Sequence, residues 1–351
     1  MVQLKQKIVK VFELLIWKVR KENPKGAHFK IKAYSDVCKA LLETDIQPTT
    51  IDEIKNILTN FGMKNPKKTL EKIKEIIETG TLSSIDGLEW NTHIQALKNL
   101  TKVYAIGPKN ATKLYKEHGC FTIEHLQQAF VVDPSILNKK QALGLKYYDD
   151  LQKRIPRSEI DAYREHFDMA VAELRTKSGN DTIRYSINGS YRREKTTSGD
   201  IDVLITGEGD TSYIRKEFIK ILIDISVLIE TLANGKKKFM GISKLPGDPS
   251  AIARHVDIID TSVEEYPFAQ LYFTGSAGFN TKMRNSVLQK GFSLNEYRLS
   301  YKTTKKPLEA SVYMDKLGKS YCETEEDICA FLDMDYVHPK DRTDVILSKH
   351  T

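Results

Sequence analysis

Cysteine is scarce in this 351-residue chain. The four present, Cys38, Cys120, Cys322 and Cys329, show no paired metal-ligand spacing, which suits free thiols in a reducing compartment rather than a disulfide framework. Long apolar runs are missing too. Residues 9–17 come nearest, and Glu13 interrupts them, which argues against a signal peptide or a membrane span. A soluble, intracellular, non-secreted protein without a membrane partner is expected. Nor is there an acidic surplus. Lys and Arg number 54 against 47 Asp and Glu, a net charge of +7 with a pI near 8.9. That suits a polyanionic partner, although so moderate an excess is common in proteins that bind none. Its distribution says more: residues 1–88 hold 16 Lys/Arg and 11 Asp/Glu, most of the surplus. The length allows two or more domains.

What is present is concentrated at residues 188–206, Asn-Gly-Ser-Tyr-Arg-Arg-Glu-Lys-Thr-Thr-Ser-Gly-Asp-Ile-Asp-Val-Leu-Ile-Thr. Just before it, Ile183, Tyr185 and Ile187 alternate with Arg184 and Ser186 as in a half-buried strand. It closes in Ile201-Asp202-Val203-Leu204-Ile205, an apolar run of strand length. Strand alternation aims Asp200 and Asp202 the same way. Paired carboxylates repel unless a cation lies between them, and hard ions such as Mg²⁺ take carboxylate and phosphate oxygens. Gly189-Ser190 leaves the backbone open to close approach, while Arg192 and Arg193 supply charge for phosphates. Alone, an Asp-x-Asp pair is usually a solvated or capping pair, and a Gly-Ser turn before Arg-Arg is ordinary. In this order and spacing they resemble the signature of the nucleotidyltransferase superfamily.

Residues 1–88 read as all helix. Ile8, Val11, Phe12, Leu15 and Val19 share one face, and Asn23-Pro24-Lys25-Gly26 breaks it. Tyr34, Val37, Cys38, Leu41 and Leu42 make a second face; Ile51, Ile54, Ile57 and Leu58 make a third. A fourth runs from Pro66, at the first turn, to Thr79, with Gly80 past its end. Lys64, Lys67, Lys68, Lys72 and Lys74 crowd it. Such a run is usually a solvated face, yet a lysine among cations can become a Schiff-base nucleophile. Val103-Tyr104-Ala105-Ile106-Gly107-Pro108-Lys109-Asn110-Ala111 has the shape of a helix–hairpin–helix, whose N–H groups can hold a DNA phosphate. A plain bundle turn is the alternative. Another helix begins near Thr122, and Lys153-Arg154-Ile155-Pro156-Arg157 reads as a hinge. Residues 215–232 predict one long apolar helix, 236–242 a turn into a strand, and 253–259 a strand with Asp257 on the face of His255 and Ile259. Taken singly, Asp257 reads as an ordinary strand-end carboxylate. Tyr272 and Phe273 meet a Gly turn, and Asn280 and Arg284 stand four apart on one helical face.

Together these residues resemble the family X DNA polymerases, of the polymerase beta type. The match is carried by Gly189-Ser190-Tyr191-Arg192-Arg193, Ser198-Gly199-Asp200-Ile201-Asp202-Val203-Leu204, the 153–157 connector and Lys238-Phe239-Met240-Gly241. Tyr272-Phe273-Thr274-Gly275-Ser276, Gly291-Phe292, Asn295-Glu296-Tyr297 and Pro339-Lys340-Asp341-Arg342 continue it in order, nearly end to end. The resemblance implies that Asp200, Asp202 and Asp257 hold two Mg²⁺ ions, with Mn²⁺ able to substitute. It assigns Arg154, Ser190, Arg193 and Gly199 to the nucleotide phosphates, Tyr272 and Phe273 to the sugar, Asn280 to the incoming base, and Arg284 and Tyr297 to DNA. Thr101, Val103 and Ile106 would hold Na⁺ or K⁺ at the hairpin, with Gly107 and Lys109 beside the primer strand. Lys72 falls on the family's Schiff-base lysine, with Lys30, Tyr34 and Lys68 at phosphate-binding positions.

Departures accompany the match. Lys64-Asn65-Pro66 replaces the family's first glycine hairpin and Ala105 the first glycine of the second. His255 and Ile259 stand for arginines, and Ala277 and Thr281 for an aspartate and a lysine. The expected fold is α+β and multidomain. It comprises a helical lyase-like domain (1–88), a helix–hairpin–helix subdomain (89–155), a nucleotidyltransferase palm with a mixed sheet (156–262), and an α+β nucleotide-binding subdomain (263–351). The implied function is gap-filling synthesis with dNTPs on gapped or nicked DNA in base-excision repair, with weak 5′-deoxyribose-phosphate lyase activity. The protein would act as a monomer in a nucleus or at a viral replication site, with a ligase among its partners. A template-independent terminal transferase and a non-catalytic binder of gapped DNA are the alternatives.

Overall fold

The computed structural model describes residues 4–22, 24–44, 46–63, 66–85 and 92–342. Lys64, Asn65 and the expected 88/89 boundary lie outside the described residues. The chain divides into two compact units, residues 1–148 and Asp149–Thr343.

The first unit is helical. α1 (Leu4–Glu22) packs along α2 (Ala27–Glu43) and also meets α4 (Lys67–Thr79), while α3 (Ile51–Asn60) bridges α2 and α4. The apolar faces converge as their spacing predicts: Ile8, Phe12, Leu15, Val37, Leu41, Ile54, Leu58, Ile73 and Ile76 form one core. Leu42 is the exception, 59 % exposed on the outer side of α2. Thr50 and Glu53 close a capping box at the start of α3. Pro66 is the N-cap of α4 rather than part of its first turn, and left-handed Gly80 ends that helix. A second core joins Leu97, Leu100, Val103, Ile106, Ala111, Leu114 and Leu126 from α5 (Thr92–Leu100), α6 (Pro108–His118), α7 (Ile123–Val132) and the turn between the first two. A fourth helix, α8 (Lys139–Lys146), closes on that turn at Gly144, where a Cβ would sit 2.5 Å from the Tyr104 carbonyl oxygen.

Past a single turn, α9 (Tyr148–Leu151), the second unit begins with β1 (Ile155–Pro156) and α10 (Arg157–Ser178). Next come β2 (Arg184–Ile187), α11 (Gly189–Arg192), β3 (Thr197–Ser198), β4 (Ile201–Thr206), α12 (Thr211–Asp224), β5 (Leu228–Asn234), β6 (Lys238–Ser243) and β7 (Arg254–Asp260). Five of these strands form a mixed sheet in the order β2-β4-β7-β6-β5, in which only β4 and β7 run parallel. Ile201, Val203, Ile205, Val256 and Ile258 point to one face and meet Phe167 of α10 with Phe218 and Leu222 of α12. The opposite face carries Leu204 and Ile259 against Tyr266 and Ala269 of α13 (Tyr266–Thr274). A third core holds α14 (Ala277–Gln289), the hairpin of β8 (Phe292–Leu294) and β9 (Leu299–Tyr301), α15 (Ala310–Leu317) and α16 (Glu325–Phe331) together.

The single helix expected over 215–232 is in fact a helix and a strand. Ile225 caps α12, Ser226 takes φ 60°, and residues 228–232 pair with β6. β-Branched and leucine side chains suit either state, so periodicity could not place the break.

All four cysteines are free and buried, two in each unit. Among the described residues no helix is long and apolar enough to cross a membrane.

Candidate active site

The register of β4 against β7 sets Asp202 opposite Asp257. Both lie on the α13 side of the sheet, because the alternate residues face the core. Asp200, exposed, stands in the bend just before β4. Burial pushes the Asp202 carboxyl up to about 7; the charges of Asp200 and Asp257 add to this, and Lys238 and Arg193 oppose it. Burial likewise lowers the pKa of His255, against the pull of Asp257 and Asp200. Asp257 is 6 % exposed, and its Oδ1 accepts no hydrogen bond among the described residues. Lys238 Nζ lies 2.5 Å from its Oδ2.

As the side chains stand, no three His, Cys, Asp or Glu among the described residues are drawn into a finished ligand set. The donor chemistry still fits a divalent cation: carboxylate oxygens only, one of them buried without a hydrogen bond, and a surplus of negative charge that burial makes costly.

Above the sheet, Asn188 receives its place from a 2.7 Å hydrogen bond donated by its N–H to the Asp202 carbonyl oxygen. Gly189 follows with φ 59°, and a Cβ there would lie 2.5 Å from Asp202 Oδ2. The turn therefore rests directly on the carboxylate. Ser190 Oγ lies 2.9 Å from Ser198 Oγ. Arg154 donates to the Thr197 hydroxyl and carbonyl oxygen, and Gly199 leaves 3.3 Å between Arg154 Nη1 and the place of a Cβ. Arg154, Ser190 and Gly199 are thus gathered at one short β1–β3 pair beside Asp200. Arg193 donates to the Thr274 carbonyl oxygen at the end of α13.

Arg192 has a different task from the phosphate recognition that its sequence position suggests. It donates to both carboxylate oxygens of Glu325, at 2.8 and 3.0 Å, and to the Thr274 hydroxyl. Arg342 grips the same buried Glu325 from the other side, at 2.9 and 3.0 Å. This clamp ties the Gly-Ser turn to α16. The sequence carried no local sign of it, since its members lie 133 and 17 positions from Glu325.

On α13, Tyr272 is 36 % exposed and packs edge-on against Phe273. Asn280 Nδ2 donates to the Tyr272 carbonyl oxygen, and Asn280, Tyr272 and Arg284 line one small pocket. Tyr297 lines a separate cavity with Lys238 and Phe273. The departures have local consequences. The Thr281 hydroxyl bonds back to the Ala277 carbonyl oxygen, and Ile259 packs in an apolar cluster with Leu204, Tyr266 and Phe273.

In the first unit, Gly107 caps α6 with no side-chain partner, leaving the helix's first N–H groups beside exposed Lys109. The Val103 carbonyl oxygen accepts from Ile106 N–H within the turn, and the Thr101 hydroxyl bonds back to α5. Lys72 is half-buried on α4, Lys30 and Lys68 are exposed, and Tyr34 packs against Phe12.

A sheet that sets carboxylates on adjoining parallel strands beneath a Gly-Ser turn defines a nucleotidyltransferase palm. Comparison with known proteins agrees, part by part. Residues 154–262 match the family described as DNA polymerase beta palm, 269–343 that of the DNA polymerase beta thumb, and 98–152 the fingers domain of DNA polymerase lambda. DNA polymerase lambda of Rattus norvegicus is 30 % identical over 79 % of this chain and 47 % of its own length. The Arabidopsis thaliana lambda polymerase is 28 % identical over 74 % and 48 %. DNA-directed DNA/RNA polymerase mu of Homo sapiens is 24 % identical over 90 % and 65 %. The chain belongs to the family X DNA polymerases. It spans about half the length of the two lambda polymerases.

Proposed function

We propose that this chain is a DNA-directed DNA polymerase that fills short gaps in base-excision repair, adding dNTPs to the primer end of gapped or nicked DNA. The observation that carries the reading is the pairing of Asp202 with Asp257 on parallel strands, with Asp200 beside them and a Gly-Ser turn seated on Asp202. Asp200 and Asp202 would hold a nucleotide-bound Mg²⁺, and all three aspartates a second one, with Mn²⁺ an acceptable substitute. Bound there, the ions stabilise the attacking and leaving oxygens of an in-line displacement.

The protein's own groups set up that displacement. Asp257 draws the proton of the primer 3′-hydroxyl toward the site. Arg154, Ser190, Arg193 and the Gly199 backbone bind the β- and γ-phosphates. Tyr272 and Phe273 meet the sugar at C2′, Asn280 the incoming base, and Arg284 and Tyr297 the DNA. The N–H groups at the start of α6, beside Gly107 and Lys109, take a primer-strand phosphate, and Thr101, Val103 and Ile106 would hold Na⁺ or K⁺ at the turn. The four-part division at 88, 155 and 262 gives these roles their domains. Lys72, aided by Lys30, Tyr34 and Lys68, supplies a weak 5′-deoxyribose-phosphate lyase. The protein works as a monomer on nuclear or viral DNA and leaves a nick for a ligase.

The test is extension of labelled primer on gapped DNA by Asp202→Ala and Asp257→Ala. Losing a metal ligand removes several kcal/mol of transition-state stabilisation, on the order of a thousandfold or more in rate. Gapped-DNA binding should survive. Near-normal extension by either variant overturns the palm assignment, and equal extension of a single strand without template favours a terminal transferase.

A further inference from the structure

β6 runs antiparallel to β7, with Met240 opposite Asp257 and Lys238 opposite Ile259. Lys238 therefore shares the carboxylate face and reaches along the sheet to Asp257, placing Nζ 2.5 Å from Oδ2. One ammonium sits where three carboxylates accumulate charge. The other oxygen of Asp257, Oδ1, accepts no hydrogen bond among the described residues, and His255 Nε2 is 3.8 Å away. A divalent cation at this site would satisfy the same charge that Lys238 satisfies. Two positive groups beside one carboxylate repel, and a few ångströms of separation at the edge of a protein makes that repulsion large.

Lys238 also has somewhere to go. Its side chain is 40 % exposed and lines a cavity of about 130 Å³ with Lys237, Asp260, Glu296 and Tyr297. A four-carbon stem with a compact charged head suits such a swing, and Glu296 offers a second carboxylate on the cavity wall.

We propose that Lys238 is a resident counter-ion of Asp257, which a divalent cation must displace before it can use that carboxylate. Ion entry at the primer side then waits on the added negative charge of nucleotide and DNA. The inference rests on the metal-binding reading of Asp200, Asp202 and Asp257. Lys238 acts through Asp257 and is a positioning residue. Without its ammonium, the carboxylates should bind a cation more readily and the cation-free protein should be less stable.

Mn²⁺ binding to the full chain, without DNA or nucleotide, tests this by the electron paramagnetic resonance of the free ion. Lys238→Met and Lys238→Gln should bind Mn²⁺ roughly ten- to hundredfold tighter than wild type, after allowing for solvent screening of a part-exposed charge. Lys238→Arg should stay near wild type, and Lys237→Met should change affinity less than Lys238→Met. Both neutral variants should melt lower than wild type and regain stability with Mn²⁺. Unchanged or weaker Mn²⁺ binding in the neutral variants overturns the counter-ion role. Asp257→Asn separates the two ideas. If it abolishes the tight binding seen in Lys238→Met, the metal reading stands; if Mn²⁺ binds equally well without Asp257, that reading fails.

Discussion

Gly189 and Ala105 show how much can depend on one Cβ. At Gly189 the backbone has φ 59°, a region that L side chains rarely adopt, and an added methyl would meet Asp202 Oδ2 at 2.5 Å. Gly189→Ala is expected to push the carboxylate aside and slow single-turnover extension by about a hundredfold, roughly the effect of misplacing a reacting group by an ångström. A rate within a factor of two of wild type would show that the turn does not position Asp202. Ala105 is the converse case. It holds φ 64° at the exposed hairpin turn, a strained conformation for a residue with a Cβ. The sequence showed it only as a departure from a glycine; the backbone shows what it costs. Ala105→Gly should stabilise the first unit by about 1 kcal/mol, read as a raised urea midpoint. Asp202 was legible as a strand residue from the apolar run around it, whereas Asp200 stands in the bend before β4, where strand alternation does not fix its direction. Lys238 was quoted within a motif, but its amine could be assigned to Asp257 only once β6 and β7 were in register.

At the scale of elements, the Arg192–Glu325–Arg342 clamp joins α11 to α16 through a carboxylate only 2 % exposed. Burial acts to raise its pKa, but hydrogen bonds from Arg342 and Arg192 outweigh this and hold it below the usual carboxylate value. A carboxyl depressed in the fold contributes stability that is full above its unfolded pKa of about 4.3 and is lost as pH falls through the folded value. The melting temperature of the second unit should therefore drop on acidification below about pH 5, and Glu325→Gln should flatten that slope. At neutral pH the same variant leaves the buried Arg342 and the part-exposed Arg192 without that counter-charge and should cost about 3–5 kcal/mol. A full acid slope in Glu325→Gln would assign the loss to other carboxylates. Helical faces and strand runs were readable from their periods, and the break between α12 and β5 was not, because leucine and isoleucine fill both states equally well. Long-range clamps leave no period at all, which is why Arg192 read as a phosphate ligand.

The whole molecule divides into two units, and the proposed chemistries divide with it. Borohydride should trap the full chain on DNA bearing a 5′-deoxyribose phosphate. Lys72→Ala should lose the adduct while gap filling continues at its normal rate. Trapping that persists without Lys72 would give the chemistry to another amine, and no trapping in wild type would leave the first unit a docking module. The α+β multidomain organisation was legible because motifs recur in order along the chain. The relation of Asp257 to Asp202 was not, since 55 positions and a crossover separate them.

The four cysteines have a use beyond the inertness of their setting. Burial pushes the Cys38 and Cys322 thiols up to about 12 and Cys329 to about 11, and it raises Cys120 as well. A thiol so placed reacts with an alkylating reagent only during local opening. With Cys38 and Cys120 in one unit and Cys322 and Cys329 in the other, each unit carries two buried thiols that report its own opening. Mass-resolved alkylation would time each unit separately in a single unlabelled sample.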